Sequence, residues 1–273
     1  MCGCYFRQSE AFHLGKLSTE ALSTECCIRE NMNFCNLATD YDGTLAENGR
    51  VAESTIKALE SLRRSGRSII LVTGRELPQL LEVFDRTDLF DWIVAENGAL
   101  LYHPTTTQAR LLTEPVPLRF VEELRSRGVS PISTGDAIVA TWRLHENTVL
   151  EGIRELGLER QITFNKESLM LLPIGVDKAS GLVAALEEMK LSWRNVVGIG
   201  DAENDLAFLR KCQCSVAVSN AIDSVKAEVD FTTRVPCGEG VVELINEILK
   251  DDLQSRCLIQ REGAIAIRSN TRS

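Results

Sequence analysis

The sequence predicts an α/β protein: a doubly wound, parallel, Rossmann-like sheet interrupted by a small inserted α+β unit. Three observations lead there. Short apolar runs at 34–39, 68–72, 92–95 and 195–200 lack alternation and suit strands buried on both faces. Stretches with apolar residues at helical spacing separate them. That rhythm breaks between about 105 and 176, where a helix followed by a hairpin occurs twice, and it resumes at Lys178. The expected organisation is therefore a core of residues 34–104 and 177–252 with residues 105–176 inserted as a second domain.

Residues 1–33 show no sustained period and are expected to be a disordered N-terminal extension. The first strand ends abruptly in Asp40-Tyr41-Asp42-Gly43-Thr44. Ile56, Ala58, Leu59 and Leu62 give 54–65 a helical face, which Gly66 closes. Strand 68–72 ends in Thr73-Gly74-Arg75, a helix follows to about Phe84, and strand 92–95 runs into Glu96-Asn97-Gly98-Ala99. In the insertion, helices are expected at 118–127 and 146–156. Hairpins are expected around Gly135-Asp136 and between Ile162–Asn165 and Leu169–Leu172. A helix from Lys178 to about Met189 precedes strand 195–200, which ends in Asp201-Ala202-Glu203-Asn204-Asp205. Helix 206–211, strand 215–218, a helical turn at 224–228, a short strand near 229–231 and helix 241–249 complete the core. Residues 253–273 are basic and without a clear period, and are expected to be a flexible C-terminal tail.

Composition narrows the function. The chain has 273 residues, 44% apolar and 25% charged, with a formal net charge of -9. The basic footprint of a nucleic-acid or anionic-membrane binder is missing, so neither partner is expected. An anionic substrate stays open, because local cations decide the potential inside a site. The nine cysteines lack zinc-site spacing and do not form the framework of a short secreted domain. With no membrane-length apolar run and no signal-peptide core, a reducing cytoplasm is expected. Oligomeric state is not legible.

In a parallel sheet every strand C-terminus lies on one edge, so Asp40, Asp42, Thr73, Asp201 and Asp205 can meet, with Lys178 at the start of a helix nearby. Carboxylates crowded this way repel one another unless a cation joins them. All-oxygen ligation points to Mg²⁺. Each piece alone is unremarkable. An Asp-Gly turn after a strand is common, Thr73-Gly74-Arg75 is an ordinary strand-to-helix turn, and Asn204 reads equally as a helix cap. Lys178 at a helix start opposes the dipole unless a counter-charge is near. Arg75 could approach substrate or pair with an acid.

Taken in order, Asp40-Tyr41-Asp42-Gly43-Thr44, Thr73, Lys178 and Gly200-Asp201-Ala202-Glu203-Asn204-Asp205 resemble the four motifs of haloacid dehalogenase-superfamily phosphatases. Glu96-Asn97-Gly98-Ala99 and Val216-Ala217-Val218-Ser219-Asn220-Ala221, with Lys226 and Asp230, resemble the Cof-type, subfamily IIB branch. The resemblance spans about residues 34–250, and Tyr41 stands where many relatives carry an aliphatic residue. It implies Asp40 as nucleophile forming an aspartyl-phosphate, Asp42 as proton carrier, and Thr73, Gly74, Lys178 and Asn204 as phosphate-binding residues. For Mg²⁺ it implies a site around Asp40, Asp42, Asp201 and Asp205. At Asp42 the neighbouring Tyr41 carbonyl is expected instead of the side chain, and Asp205 is expected to act through water or by orienting Lys178. The insertion then resembles a C2-type cap, in the small two-hairpin form of phosphoglycolate and sucrose-phosphate phosphatases, with the hairpin around Gly135 and the turn at Lys166-Glu167-Ser168 facing substrate. The implied activity is Mg²⁺-dependent hydrolysis of a small phosphorylated metabolite. The alternatives are a phosphotransferase or mutase on a sugar phosphate, and a catalytically silent metal-binding module.

Overall fold

The computed structural model describes residues 33–256. The expectation for residues 1–33 lies, apart from Asn33, outside the described residues, as does that for 257–273.

Strands β1 (Asn36–Thr39), β2 (Ala46–Glu47), β3 (Arg50–Val51), β4 (Ser68–Val72), β5 (Trp92–Ala95), β6 (Leu100–His103) and β7 (Gln108–Leu111) are followed by β8 (Ser133–Thr134), β9 (Val139–Trp142), β10 (Arg160–Asn165) and β11 (Ser168–Pro173). β12 (Val196–Gly200), β13 (Cys214–Ala217) and β14 (Phe231–Thr232) close the series. An eight-stranded sheet has the order β14-β13-β12-β1-β4-β5-β6-β7, and it is parallel from β14 to β5. β4 and β12 are buried along their whole length, as non-alternating apolar runs require in a sheet covered on both faces.

The helices that cover this sheet are α1 (Glu53–Arg64), α2 (Leu77–Val83), α5 (Lys178–Glu188), α6 (Leu206–Leu209), α7 (Asp223–Lys226) and α8 (Cys237–Asp251). α3 (Leu118–Ser126) and α4 (Glu146–Glu155) belong to the inserted stretch. α1 buries Thr55, Ala58, Leu59 and Leu62, one stripe at helical spacing, and packs against α8. α5 buries Ala179, Leu182, Ala185 and Leu186 against β4 and β5.

The inserted stretch forms a separate four-stranded antiparallel sheet, β10-β11-β9-β8. Phe120, Val121 and Leu124 of α3 and Val149 of α4 pack with Val139, Leu169 and Leu171 of this sheet in its own apolar cluster. A third cluster, Ala99, Ala137, Ile138, Met170 and Leu172, joins this sheet to the segment after β5.

Two boundaries differ from expectation. Residues 108–111 pair antiparallel with 100–103 and extend the large sheet, so the stretch from 105 to 111 is part of the core rather than of the insertion. Pro104 and three threonines at the turn mask the hairpin, and the exposed edge strand Gln108-Ala109-Arg110 carries little apolar signal. Residues 253–256, expected in a flexible tail, fold back. Leu253 is fully buried and Arg256 pairs with Glu247 at 2.7 Å. Among the described residues no helix is long and apolar enough to cross a membrane.

Candidate active site

Asp40 follows β1, Asp201 follows β12 and Thr73 follows β4. These are three adjacent parallel strands, and Thr39, the last residue of β1, stands opposite the second-last residues Ile199 and Leu71 of the other two. The site therefore sits at the centre of the parallel edge. Carboxylate oxygens of Asp40, Asp201 and Asp205 lie within 4.8 Å of one another, and all three residues are buried.

Lys178 balances this charge. It is the first residue of α5, whose start is fixed by a capping box. Asp177 Oδ1 accepts from the Ser180 N–H at 2.7 Å, and Ser180 Oγ accepts from the Asp177 N–H at 3.0 Å. The Lys178 ammonium is fully buried and donates to Asp40 Oδ1 at 2.5 Å and Asp205 Oδ1 at 2.6 Å. Burial alone would pull its pKa down, but Asp205 and Asp40 together raise it. Those two carboxylates answer the dipole objection to a cation at a helix start. Burial, then the Asp205 charge, push Asp40 well above the usual carboxylate range, with Lys178 opposing them. Asp201 is raised by burial and Asp205, with Lys166 opposing.

Asp205 Oδ2 also accepts the N–H groups of Asp201 (2.8 Å) and Ala202 (2.9 Å). Both of its oxygens are thus engaged, and it shapes the loop while holding Lys178. Its neighbour Asn204 does not cap α6. The Asn204 amide donates to Asn97 Oδ1 at 2.9 Å, leaving Asn204 Oδ1 and Asn97 Nδ2 buried without a partner. Thr73 is fully buried, and its hydroxyl accepts from the Arg75 N–H at 3.1 Å.

The expected metal set separates in the structure. Asp42 is not among the three clustered carboxylates. It takes a two-pronged pair from Arg75, Nε to Oδ2 at 2.6 Å and Nη2 to Oδ1 at 2.7 Å. That hydrogen bonding raises the Arg75 pKa, and the guanidinium also lies 5.4 Å from the Tyr41 ring centroid. The Tyr41 carbonyl accepts N–H groups of Ala46 (2.8 Å) and Thr44 (3.4 Å), so it closes the turn after β1 and is not presented as a free ligand. The turn needs Gly43. At φ +80° a side chain is strained, and a Cβ would stand 2.4 Å from Asp201 Oδ2.

A cavity of about 180 Å³ opens beside Asp40 and Asp42, lined by Gly74 and Gln79 from the large sheet's side and by Ser133, Asn165, Ser168 and Met170 from the small one. Around it several contacts pair residues that the sequence did not bring together. Gln79 donates to Ser133 Oγ at 2.9 Å, and Ser133 donates to Glu76. Glu96 accepts the N–H groups of Asp136 (2.9 Å), Ala137 (2.8 Å) and Ile138 (3.2 Å). The Lys166 ammonium reaches Asp201 Oδ2 at 2.5 Å, and the Thr44 hydroxyl reaches Asp201 Oδ1 at 3.4 Å. Thr44, Glu96 and Lys166 lie in stretches that the sequence singled out, though without these partners, whereas Glu76, Gln79 and Ser133 carried no signal.

The donor set fits a hard divalent cation. It offers only carboxylate oxygens, three within reach of one ion, and the Lys166 ammonium already shows that Asp201 accepts a cation there. Asp205 has both oxygens engaged, so the ion would rest on Asp40 and on the Asp201 oxygen that Lys166 now contacts.

Comparison with known proteins places this arrangement. The family model described as haloacid dehalogenase-like hydrolase matches residues 37–142 and 143–245. A phosphoglycolate phosphatase of Methanothermobacter thermautotrophicus is 28% identical over 221 residues, covering 78% of this chain and 98% of that protein. The 5-amino-6-(5-phospho-D-ribitylamino)uracil phosphatase of Bacillus subtilis is 24% identical, covering 80% of this chain and 96% of its own. The solved structure of a sugar phosphatase of haloacid dehalogenase subclass IIB superposes with a TM-score of 0.65 at 22% identity, over 78% of this chain and 98% of that one.

Proposed function

The chain belongs to the haloacid dehalogenase-like hydrolases and is by class a phosphoric monoester hydrolase of the Cof-type branch; from that premise we propose that it hydrolyses a small organic phosphate monoester through an aspartyl-phosphate on Asp40. The observation that carries this reading is the buried Lys178 bridging Asp40 and Asp205 beside Asp201, open to a cavity on the Asp42 side.

In this reading Asp40 attacks phosphorus and the ester oxygen leaves. Splitting hydrolysis into phosphorylation of a carboxylate and hydrolysis of the resulting acyl-phosphate replaces one hard step by two easier ones. Lys178 and the Thr73 hydroxyl hold phosphoryl oxygens, Lys178 as a point charge already balanced against Asp40. Asp42 delivers a proton to the leaving oxygen and later takes one from water. To do so it must leave Arg75, because a carboxylate paired on both oxygens has no proton to give. Arg75 then acts as the resting partner of Asp42. Mg²⁺ bound by Asp40 and Asp201 would offset charge between the anionic nucleophile and the phosphate.

The small sheet is read as a cap of the C2 type. It lines one side of the cavity with Ser133, Asn165, Ser168 and Met170, where a cap would restrict access of bulk water to the acyl-phosphate. A cavity of about 180 Å³ suits a compact leaving group, such as a sugar or a glycolate-sized acid, and not a phosphoprotein. With the low-basic surface and the absence of disulfide-style cysteine spacing, the site of action is read as the cytoplasm.

The test is a panel of phosphate esters assayed for released phosphate with and without Mg²⁺, run in parallel on Asp40→Asn. The expected result is Mg²⁺-dependent release from at least one small ester and none from the variant, whose folded spectrum is unchanged. Full activity in Asp40→Asn would remove the nucleophile.

A further inference from the structure

Lys166 sits at the tip of the β10–β11 turn, at φ +53°, and is fastened to the core twice. Its ammonium contacts Asp201 Oδ2 at 2.5 Å, and its backbone N–H donates to Glu203 Oε2 at 3.1 Å. From its own sheet the turn is braced by Arg143, whose backbone N–H donates to the Glu167 carbonyl at 2.8 Å. The ion pair is lopsided. The Lys166 side chain is 46% exposed, whereas that of Asp201 is 1% exposed. A half-exposed ammonium keeps much of its hydration and can be displaced, unlike one held in a dry site by two carboxylates.

The oxygen that Lys166 holds, Asp201 Oδ2, belongs to the carboxylate offered above to the divalent cation. An ammonium and a dication cannot share one oxygen at contact distance, because like charges repel and the buried side of Asp201 offers no water to screen them. The other oxygen, Oδ1, faces the Thr44 hydroxyl, so rotating the carboxylate does not provide a second open face.

We propose that Lys166 is a built-in competitor for the cation site: its ammonium latches the β10–β11 turn onto Asp201, and divalent-cation binding releases that edge of the small sheet from the core. This rests on the reading that Asp201 holds the cation. Coupling is reciprocal, so the factor by which the latch weakens cation binding equals the factor by which the cation weakens the latch. Metal loading and opening of the cavity on the Lys166 side are thereby one equilibrium.

The test is calorimetric titration of Mg²⁺ into the full chain and into Lys166→Met and Lys166→Arg, with hydrogen exchange of amides 160–173 followed with and without Mg²⁺. Lys166→Met is expected to bind Mg²⁺ about tenfold more tightly, within the usual range for coupled sites, with Lys166→Arg close to the unsubstituted chain. Exchange in the turn is expected to quicken on adding Mg²⁺ to the unsubstituted chain and to be fast in Lys166→Met from the start. Equal affinities in all three proteins would overturn the proposal, and so would turn exchange indifferent to Mg²⁺. If the unsubstituted chain binds no Mg²⁺, the cation site itself falls, and the latch falls with it.

Discussion

Two lysines reach the same acidic cluster from different sheets, and they are held in opposite ways. Lys178 comes from a helix packed on the large sheet, is wholly buried, and bridges two carboxylates. Lys166 comes from a turn of the small sheet, is nearly half exposed, and meets one. The contrast extends to everything around them. On the large-sheet side, strand ends in fixed register, a capping box and backbone donors leave each charged atom one position. On the small-sheet side, the core is met by one small apolar cluster, Ala99 with Ala137, Ile138, Met170 and Leu172, and by separate polar contacts such as Glu96 to residues 136–138 and Gln79 to Ser133. The chemistry is thus attached to the layer with the larger core, and what decides access and fit is joined to it through a much smaller apolar cluster and separate polar contacts.

The comparison can be broken from the rigid side first. Lys178→Met leaves Asp40 and Asp205 without their buried cation. We expect a rate loss of about a hundredfold or more and a stability loss of about 3–5 kcal/mol, read by steady-state kinetics and denaturant melts. Next comes Gly98→Ala. Gly98 has φ +106°, and a Cβ there would stand 1.9 Å from the Asp177 carbonyl oxygen, so the start of α5 must move. The expected cost is about 1–3 kcal/mol, accompanied by lost activity because Lys178 moves with it. The smallest effect belongs to the small-sheet side. Glu96→Gln keeps the shape but weakens charge-assisted acceptance from the 136–138 amides, for an expected loss of about 1 kcal/mol. Hydrogen exchange at those amides should quicken, with KM changed more than kcat. If Glu96→Gln instead matched Lys178→Met in both stability and rate, the two sides would not differ as described.

How much of this was legible follows the same division. Asp40, Thr73, Asp201 and Asp205 could be brought together from the sequence because parallel strand ends share an edge, a rule that needs no side-chain detail. Lys178 could be placed because its charge at a helix start demanded a partner. What could not be read depends on how chain segments far apart in sequence lean on each other. Arg75 offered two partners on paper, and only the packing of the turn after β4 against the turn after β1 chooses Asp42. The Tyr41 carbonyl was expected at the cation, but the tight turn that Gly43 permits consumes it. Asn204 read equally as a cap, yet its amide meets Asn97, a residue 107 positions away. Lys166 and Asp201 are 35 residues apart and meet only because a hairpin of one sheet tips onto a loop of the other.

The central claim is that Asp40 carries the phosphoryl group between substrate and water. It is tested most directly by mixing excess enzyme with a hydrolysed ester and Mg²⁺, quenching in acid within the first turnover, and mapping peptides by mass spectrometry. A transient gain of one phosphoryl mass is expected on the peptide bearing Asp40, decaying as phosphate appears, with no gain in Asp40→Asn. Phosphate released with no modified peptide, or a phosphoryl group found on another residue, would contradict it.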